Sequence, residues 1–555
     1  MPGLIRRVQD YIRRYGLAYM LRHTAEKAWE RVFRVYDRAW RCIQPTEEEL
    51  RRQREQPIDA GLISIVAPIY NTRPELLTAL ADSFLAQTYP RWEACLYDGM
   101  SSRADTIQAL DALATLDPRI RVLHGQRNEG ISGNTNLALD MARGDWIVLC
   151  DHDDLLTPDA LYRVAEAILA NQPDMIYSDE DKVTEDGARH TDPHFKPDFC
   201  PDNLRSGNYI CHLMAMRRSL LDAVGGLRPA FDGSQDHDLA LRIAEHTDSI
   251  VHLPRILYHW RTVSSSASHQ NLEKCIQAAR RAVEEHTRRI GWPADVTVED
   301  GMLRLHYAVK GRPRISVILM GSKTDKCREA LAASAPEDTE WLTADVAANR
   351  YAAMNQAAAR ARGDMLLFVD ETVLPRTPGW MTELMMYAQR DDVGAVTPVM
   401  WNRRGRVTHG GFAVGMKGAA VCRERGLPRR AGGWHLLMRQ SHNVAAVSAL
   451  CLMIRRDHFI PFDERYHGGL GAVDWCLRLG ERGLRHVFTP HAGALCQSRA
   501  WLLLTNDRDR EDEAAFRKAH DGMHDPCYSA WFSRERANGS LSRELLLKAR
   551  KEGAT

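Results

Sequence analysis

Three carboxylates crowd the end of one apolar run, and their spacing is the chain's first sign of chemistry. The run Trp146-Ile147-Val148-Leu149-Cys150 leads into Asp151-His152-Asp153-Asp154. Five apolar residues that lean to strand formers suit a strand buried on both faces of a sheet. Like charges this close repel, and each raises the other's pKa unless a cation lies between them. Magnesium or manganese suits such a place, being hard, oxygen-liganded and commonly bound together with substrate phosphates. The local string fits a second reading equally well. It can be a solvated acidic turn in which Asp153 or Asp154 caps a helix starting near Thr157-Pro158.

The elements around this run predict how it is positioned. Leu62 to Asn71 reads as a strand running into a loop, followed by a helix from Pro74 to Gln87. Trp92 to Tyr97 reads as a strand ending at Asp98-Gly99-Met100. A second helix and a short strand, Ile120 to His124, lead to Arg127-Asn128-Glu129-Gly130, and a third helix spans about Ser132 to Arg143. Strands and helices that alternate with short loops form a doubly wound, mostly parallel α/β sheet. Such sheets bind ligands beyond the carboxyl ends of their strands. Asn71, Asp98, Asn128 and Asp151 all fall there. No GxGxxG follows the first strand, and no GxxxxGK precedes a Ser or Thr, which disfavours a dinucleotide fold or a P-loop enzyme. Asp98 can instead accept hydrogen bonds from a base or ribose, with a metal at Asp151 and Asp153 holding a diphosphate.

The blocks SIVAPIYNT, YDGMSS, NEGISGNTNLAL, GDWIVLCDHDDLL, YSDEDK, HFKPDF, GGLRPAFDGSQDHDLALR and LPRILYHWR resemble the family 2 glycosyltransferases. More narrowly, they are similar to tandem-domain bacterial enzymes of O-antigen and surface-polysaccharide assembly, many of the rhamnosyltransferase type. The resemblance is dense over 60–290 and looser over 312–535. It implies a GT-A fold, a dTDP- or UDP-sugar donor, Mn2+ or Mg2+, and inversion at the anomeric carbon. It also implies a glycan or lipid-linked glycan acceptor at the inner face of a bacterial cytoplasmic membrane. By resemblance, Asp151, Asp153 and His259 hold the metal, and Pro68, Tyr70, Asn71, Asp98, Arg127 and Asn128 surround the donor nucleotide. Arg261 reaches the diphosphate, while Asp179 and Glu180 reach the donor sugar. Asp236 is the catalytic base, and His194, Lys196 and Gln235 lie on the acceptor side. Simpler roles stand beside these: His259 as a strand-end histidine, Arg261 as a surface arginine, Asp236 as a helix cap, and Asp179 to Lys182 as a solvated turn. Asp238 reads as a first-turn charge favoured by the helix dipole.

Residues 312–505 restate the scheme. Met365 to Val369 parallels the acidic-ended strand, but Thr372 stands where its second acid is expected. Gly469 to Arg478 parallels the base motif, with Ala472 in the base position and Asp474 retained. The stretch between Ser334 and Asn349 reads as too short for the strand and loop that carry Asp98. The second copy is therefore expected to be degenerate.

Size and composition complete the expectation. The 555 residues exceed what one core supports, and 44% are hydrophobic. Four segments are expected: a basic helical stretch over 1–58, a catalytic domain over 59–300, a degenerate copy over 312–506 and a charged helical tail over 507–555. A net charge of +1 gives no field that would attract nucleic acid. The 12 cysteines are scattered singly, as suits reduced thiols in a cytoplasm. No apolar run approaches the ~20 residues of a membrane span, and no signal peptide is read. Between Ile5 and Arg41, ten basic and four acidic residues alternate with aromatics. That pattern fits either an interfacial helix on anionic lipid or a helix packed on protein. A sugar nucleotidyltransferase is a weaker match, because Tyr70-Asn71-Thr72-Arg73 stands where such enzymes carry a Gly-rich loop. A non-catalytic glycan-binding or scaffold subunit fits the second half better than the first.

Overall fold

A computed structural model describes residues 35–262, 272–416, 419–497, 507–535 and 537–552. The first half supplies β1 (Ile63–Ile69), β2 (Trp92–Asp98), β3 (Ile120–His124), β4 (Trp146–Leu149), β5 (Leu155–Leu156), β6 (Met175–Thr184), β7 (His190–His194), β8 (Met214–Arg217) and β9 (Ile250–Thr262). They form one sheet in the order β3-β2-β1-β4-β8-β6-β9-β5, with β7 beside β6. The strands β3, β2, β1 and β4 run parallel, and β8 is antiparallel to both β4 and β6. The expected α/β architecture is present. β1 and β2 are apolar and buried almost throughout, because helices cover both faces.

A hairpin of β10 (Ala294–Glu299) and β11 (Met302–Tyr307) leads into the second half. Its strands are β12 (Ile315–Met320), β13 (Glu340–Ala344), β14 (Met365–Asp370), β15 (Val373–Pro375), β16 (Val393–Trp401), β17 (Val407–His409), β18 (Phe412–Met416), β19 (Ala419–Cys422), β20 (His442–Val444), β21 (Cys451–Arg455) and β22 (Arg485–Cys496). The main sheet runs β13-β12-β14-β21-β16-β22-β15, the first sheet's order from β2 onward. Local bonds repeat as well. Ser64 Oγ donates to Glu93 and accepts from Gly144 N–H, while Ser316 Oγ does the same with Glu340 and Gly363. Asn136 clasps the backbone of Leu227, as Asn355 clasps that of Phe462.

The paired networks fix which residues correspond, and they correct one expectation. The strand that carries Asp98 does have a counterpart, β13. Asp345 stands five residues after Glu340, as Asp98 stands five after Glu93. It is β3 that has no counterpart among the described residues. Asp345 is exposed and accepts from Ala347 N–H.

The halves share an apolar core and a buried charged seam. Arg390, 1% exposed, pairs through both terminal nitrogens with Asp202, at 2.6 and 3.1 Å. Asn443 bonds both the backbone and the side chain of Asp202. The charged tail meets both halves. Its helix Asp507–Ala519 packs on the second half, with Asp512 accepting from His467 and Gly468 N–H. Its later residues cross to the first half, where His524 meets Asp198 at 2.6 Å and Trp531 Nε1 donates to Pro254. Of the basic N-terminal stretch, 1–34 lies outside the described residues. The helix Val35–Ile43 packs on protein, burying Tyr36, Ala39 and Trp40.

Candidate active site

β4 delivers Asp151 just beyond its apolar run, between the carboxyl end of β1 and the start of β8. Asp151 is the open carboxylate, with 40% of its side chain exposed. Its backbone N–H donates to Tyr258 Oη, and its carboxylate faces His212 Nε2 at 3.5 Å. Asp154 is fully buried. It accepts from Tyr258 Oη at 2.6 Å and from Arg261 N–H at 2.8 Å. Neither Asp153 nor Asp154 caps the following helix. That helix begins at Ala160, behind Asp159.

The electrostatics are those of crowded acids short of positive charge. Burial, then Asp151 and Asp153, push the Asp154 carboxyl well above the usual range. Burial also raises Asp153, against the pull of His152. Burial works against charge on Asp151 too, but His212 outweighs it and holds that carboxyl low. His212 in turn loses by burial and gains from Asp151 and Glu180, and rises to about 9. A hard cation beside Asp151 would relieve this crowding; the groups the structure gathers there are Asp151, Asp154 and His212, and Asp153, expected as a ligand, is not among them.

The structure divides the expected metal set. Asp151, Asp154 and His212 bring ligand atoms within 4.8 Å of one another. His259 belongs to a second group with Asp181 and His190. Its Nδ1 bonds Asp181 directly, and His190 meets the other Asp181 oxygen at 2.8 Å. Tyr36 Oη donates to Asp181 as well, and the Trp40 ring stacks on His190.

Asp179, Glu180 and Asp181 were open to reading as a solvated turn. They lie instead inside β6, almost wholly buried. Each burial is offset by a partner distant in sequence. Asp179 takes His252 Nε2 at 2.9 Å and Lys196 N–H at 2.7 Å. Glu180 takes His212 N–H, and although burial opposes its charge, Lys196 and His194 hold it at about 2. Lys196, expected on the acceptor side, is fully buried. Its ammonium donates to the carbonyls of Ser178, Ile210 and His212, which uses its three hydrogens. Arg261 is similarly committed, its Nε and one terminal nitrogen bonding the carbonyls of Asp153 and Glu185.

Asp236 sits partly exposed in the first turn of the helix Gln235–Ile243 and accepts from Asn208 Nδ2 at 2.7 Å. Asn208 Oδ1 accepts Cys211 N–H, and His212 follows. The loop 208–212 thus links Asp236 to Asp151. Asp238 has the structural task expected, paired with Arg228 and Arg242. Gln235 closes its own turn on Gly233 N–H. His194 stacks on His435 from the second half at 4.2 Å.

The nucleotide-side candidates share one edge. Pro68 lies in β1, and Tyr70 is exposed just beyond it. Asn71 adopts φ 51°, which asparagine tolerates, and its Oδ1 accepts from Ser102 and Arg103 N–H. Asp98 is buried, bonded to Ser101 N–H and to His124 Nδ1 at 2.9 Å. One acceptor position on each oxygen remains for a ligand. Asn128 holds Gly130 N–H and Asn134, and Arg127 is exposed beside Glu129. Sequence reasoning missed His124, His212, Asn208 and Tyr258. His124 and His212 are lone histidines without a motif of their own.

Residues 64–225 match the model of glycosyl transferase family 2. The uncharacterized protein y4gI of Sinorhizobium fredii is 33% identical, over 89% of this chain and 60% of that protein. The O-antigen biosynthesis protein RfbC of Myxococcus xanthus is 34% identical, over 80% of this chain and 38% of that protein. The chain thus spans less than two thirds of these relatives. A mannosyltransferase from Pyrobaculum calidifontis, solved with GDP-Man and Mn2+, shares 18% identity over 43% of this chain and 69% of its own, at a TM-score of 0.32.

Proposed function

We propose that this chain, a member of glycosyl transferase family 2 through residues 64–225, is an inverting sugar transferase with a single active site in its first half. The observation that carries the reading is the loop 208–212, which ties Asp236 to the acidic end of β4. An inverting transfer needs a base on the acceptor side and positive charge on the diphosphate side. Asp236 is the base that takes the acceptor hydroxyl's proton. Asp151 and Asp153 hold Mn2+ or Mg2+, which when bound offsets charge on the departing diphosphate. His212 keeps Asp151 ionised and adds positive charge beside it. Asp98 receives the nucleoside of a dTDP- or UDP-sugar. The second half does no chemistry. Thr372, Leu450, Ala472 and Leu495 stand where the first half has Asp153, His212, Asp236 and His259, by count from the paired networks and strands.

The acceptor we propose is a bacterial surface glycan, free or lipid-linked, met at the inner face of the membrane through the N-terminal segment. No helix among the described residues is long and apolar enough to cross a membrane. The test is release of nucleoside diphosphate from a panel of nucleotide sugars, with manganese and with EDTA. Manganese-dependent release from at least one donor is expected, and none from any donor would remove the reading.

A further inference from the structure

A cleft of about 160 Å³ opens between the halves, walled by the first half, the second half and the tail. Asn208 belongs to this wall and also bonds Asp236. The lining also includes Trp434, Arg423 and Glu424, with Phe532 from the tail and Phe195 from the first half. The Trp434 and Phe195 rings face each other at 6.5 Å, and Phe532 meets Trp434 edge-on at 4.8 Å. Gly539 fixes this packing, since a Cβ there would lie 2.7 Å from Trp434 Cβ.

Two donors in the wall lack partners. Arg423 is 7% exposed, yet its Nη1 has no hydrogen-bond partner among the described residues. Trp434 Nε1 is likewise buried and unpaired. Buried donors are almost always satisfied, so two orphans in one cleft point to acceptor oxygens that arrive with a ligand. Glu424 adds a group that can donate or accept, because burial, offset only in part by Arg423, lifts its carboxyl to about 7.

We propose that this cleft is the acceptor-glycan subsite, in which the second half and the tail hold sugar units next to the one presented to Asp236. A sugar ring offers an apolar face of C–H groups and an edge of hydroxyls. Aromatic rings cover the first, and the arginine, indole N–H, carboxyl and amides bond the second. A pocket at a domain seam, mainly apolar with a few convergent polar groups, is a common form of binding site. The proposal rests on the transferase reading, and it gives the inactive half a binding task.

The test uses the full chain and neutral or uronate-containing tri- to hexasaccharides cut from bacterial surface polysaccharides. Saturation-transfer NMR reads binding directly. Trp434→Ala should weaken binding and raise acceptor KM at least about tenfold, while donor KM moves less than about threefold. Trp434→Phe, which keeps the ring and loses the N–H, should fall between, with an unchanged melting temperature. Arg423→Gln should weaken uronate-containing probes most. No saturation of any probe would overturn the proposal, as would equal acceptor KM in wild type and Trp434→Ala. Glycan binding without turnover of any nucleotide sugar would remove the transferase reading and, with it, the acceptor role. Turnover with intact acceptor KM in every variant would remove the cleft alone.

Discussion

Replacing Asp236 by asparagine separates chemistry from folding at the proposed base. The carboxamide keeps the side-chain volume, and its oxygen can still accept from Asn208, now 2.7 Å from the carboxylate. What is lost is a proton acceptor. General-base removal costs roughly 10²- to 10⁴-fold in turnover, or about 2.7 to 5.4 kcal/mol at about 1.36 kcal/mol per decade. The structural cost is smaller. Exchanging a charged for a neutral acceptor weakens the Asn208 bond by about 1 kcal/mol. Losing a first-turn charge from the helix Gln235–Ile243 costs about 0.3 to 1 kcal/mol. Together these are about 1.5 kcal/mol, which lowers the melting temperature by a few degrees without unfolding the chain. Steady-state transfer, donor KM and thermal melting would be measured on the same preparation. The expectation is a collapse of kcat with donor KM nearly unchanged. Turnover within about tenfold of wild type, a barrier change of only ~1.4 kcal/mol, would refute Asp236 as base.

Asp153→Ala should abolish manganese-dependent turnover and leave the fold intact, because the Arg261 bond goes to the Asp153 carbonyl rather than its carboxylate; activity persisting in EDTA would sink the metal assignment. The double change Asp370→Ala with Glu371→Ala should leave transfer within about twofold while lowering the melting temperature, since Arg350 loses its 2.7 Å partner; a distinct activity lost with it would make the protein bifunctional. Glu424 gives a pH signature. Its carboxyl is raised to about 7, so the folded state holds a proton that the unfolded state releases near 4.5. The associated stability is complete below about pH 4.5 and fades as pH rises through 7, by up to about 3 kcal/mol. Glu424→Gln should flatten that slope in urea titrations between pH 5 and 8, and an unaltered slope would contradict the buried-carboxyl account.

The sequence made legible whatever local pattern dictates. Apolar runs located β1, β2, β3 and β4 to within a residue or two, and the acids at their ends fell on one edge as the α/β rule requires. Asp238 was readable because a first-turn carboxylate has its reason nearby. β6 was not readable past Tyr177. Charged residues normally end a strand, and Asp179, Glu180 and Asp181 continue one only because His252, Lys196, His190 and His259 arrive from elsewhere. Those partners are up to 78 residues away, and no local periodicity announces them. Lys196 failed the same way. A lysine in a polar loop suggests a ligand contact, but three carbonyls had already claimed it.

Compared side by side, the two halves show which bonds the repeated fold keeps. The shared bonds are those that close turns and pin helices to strands: Ser316 with Glu340, Asn355 with Phe462, and Asp474 with Arg478. The differences lie at the strand ends, where a charge has no structural use without a ligand. An unpaired buried charge is costly, so such a position is either emptied or given a partner. Ala472 and Leu495 are the emptied cases. The base position is now closed over by Tyr351, whose Oη accepts from Ala472 N–H and donates to Gly468 O at 2.6 Å. Asp370 is the paired case, neutralised by Arg350 and bonded to the Thr372 hydroxyl. That arginine supplies the positive charge Asp370 needs. The position that corresponds to Asp151 is thus filled from within, which supports the proposal that this half acts at the seam it shares with the first.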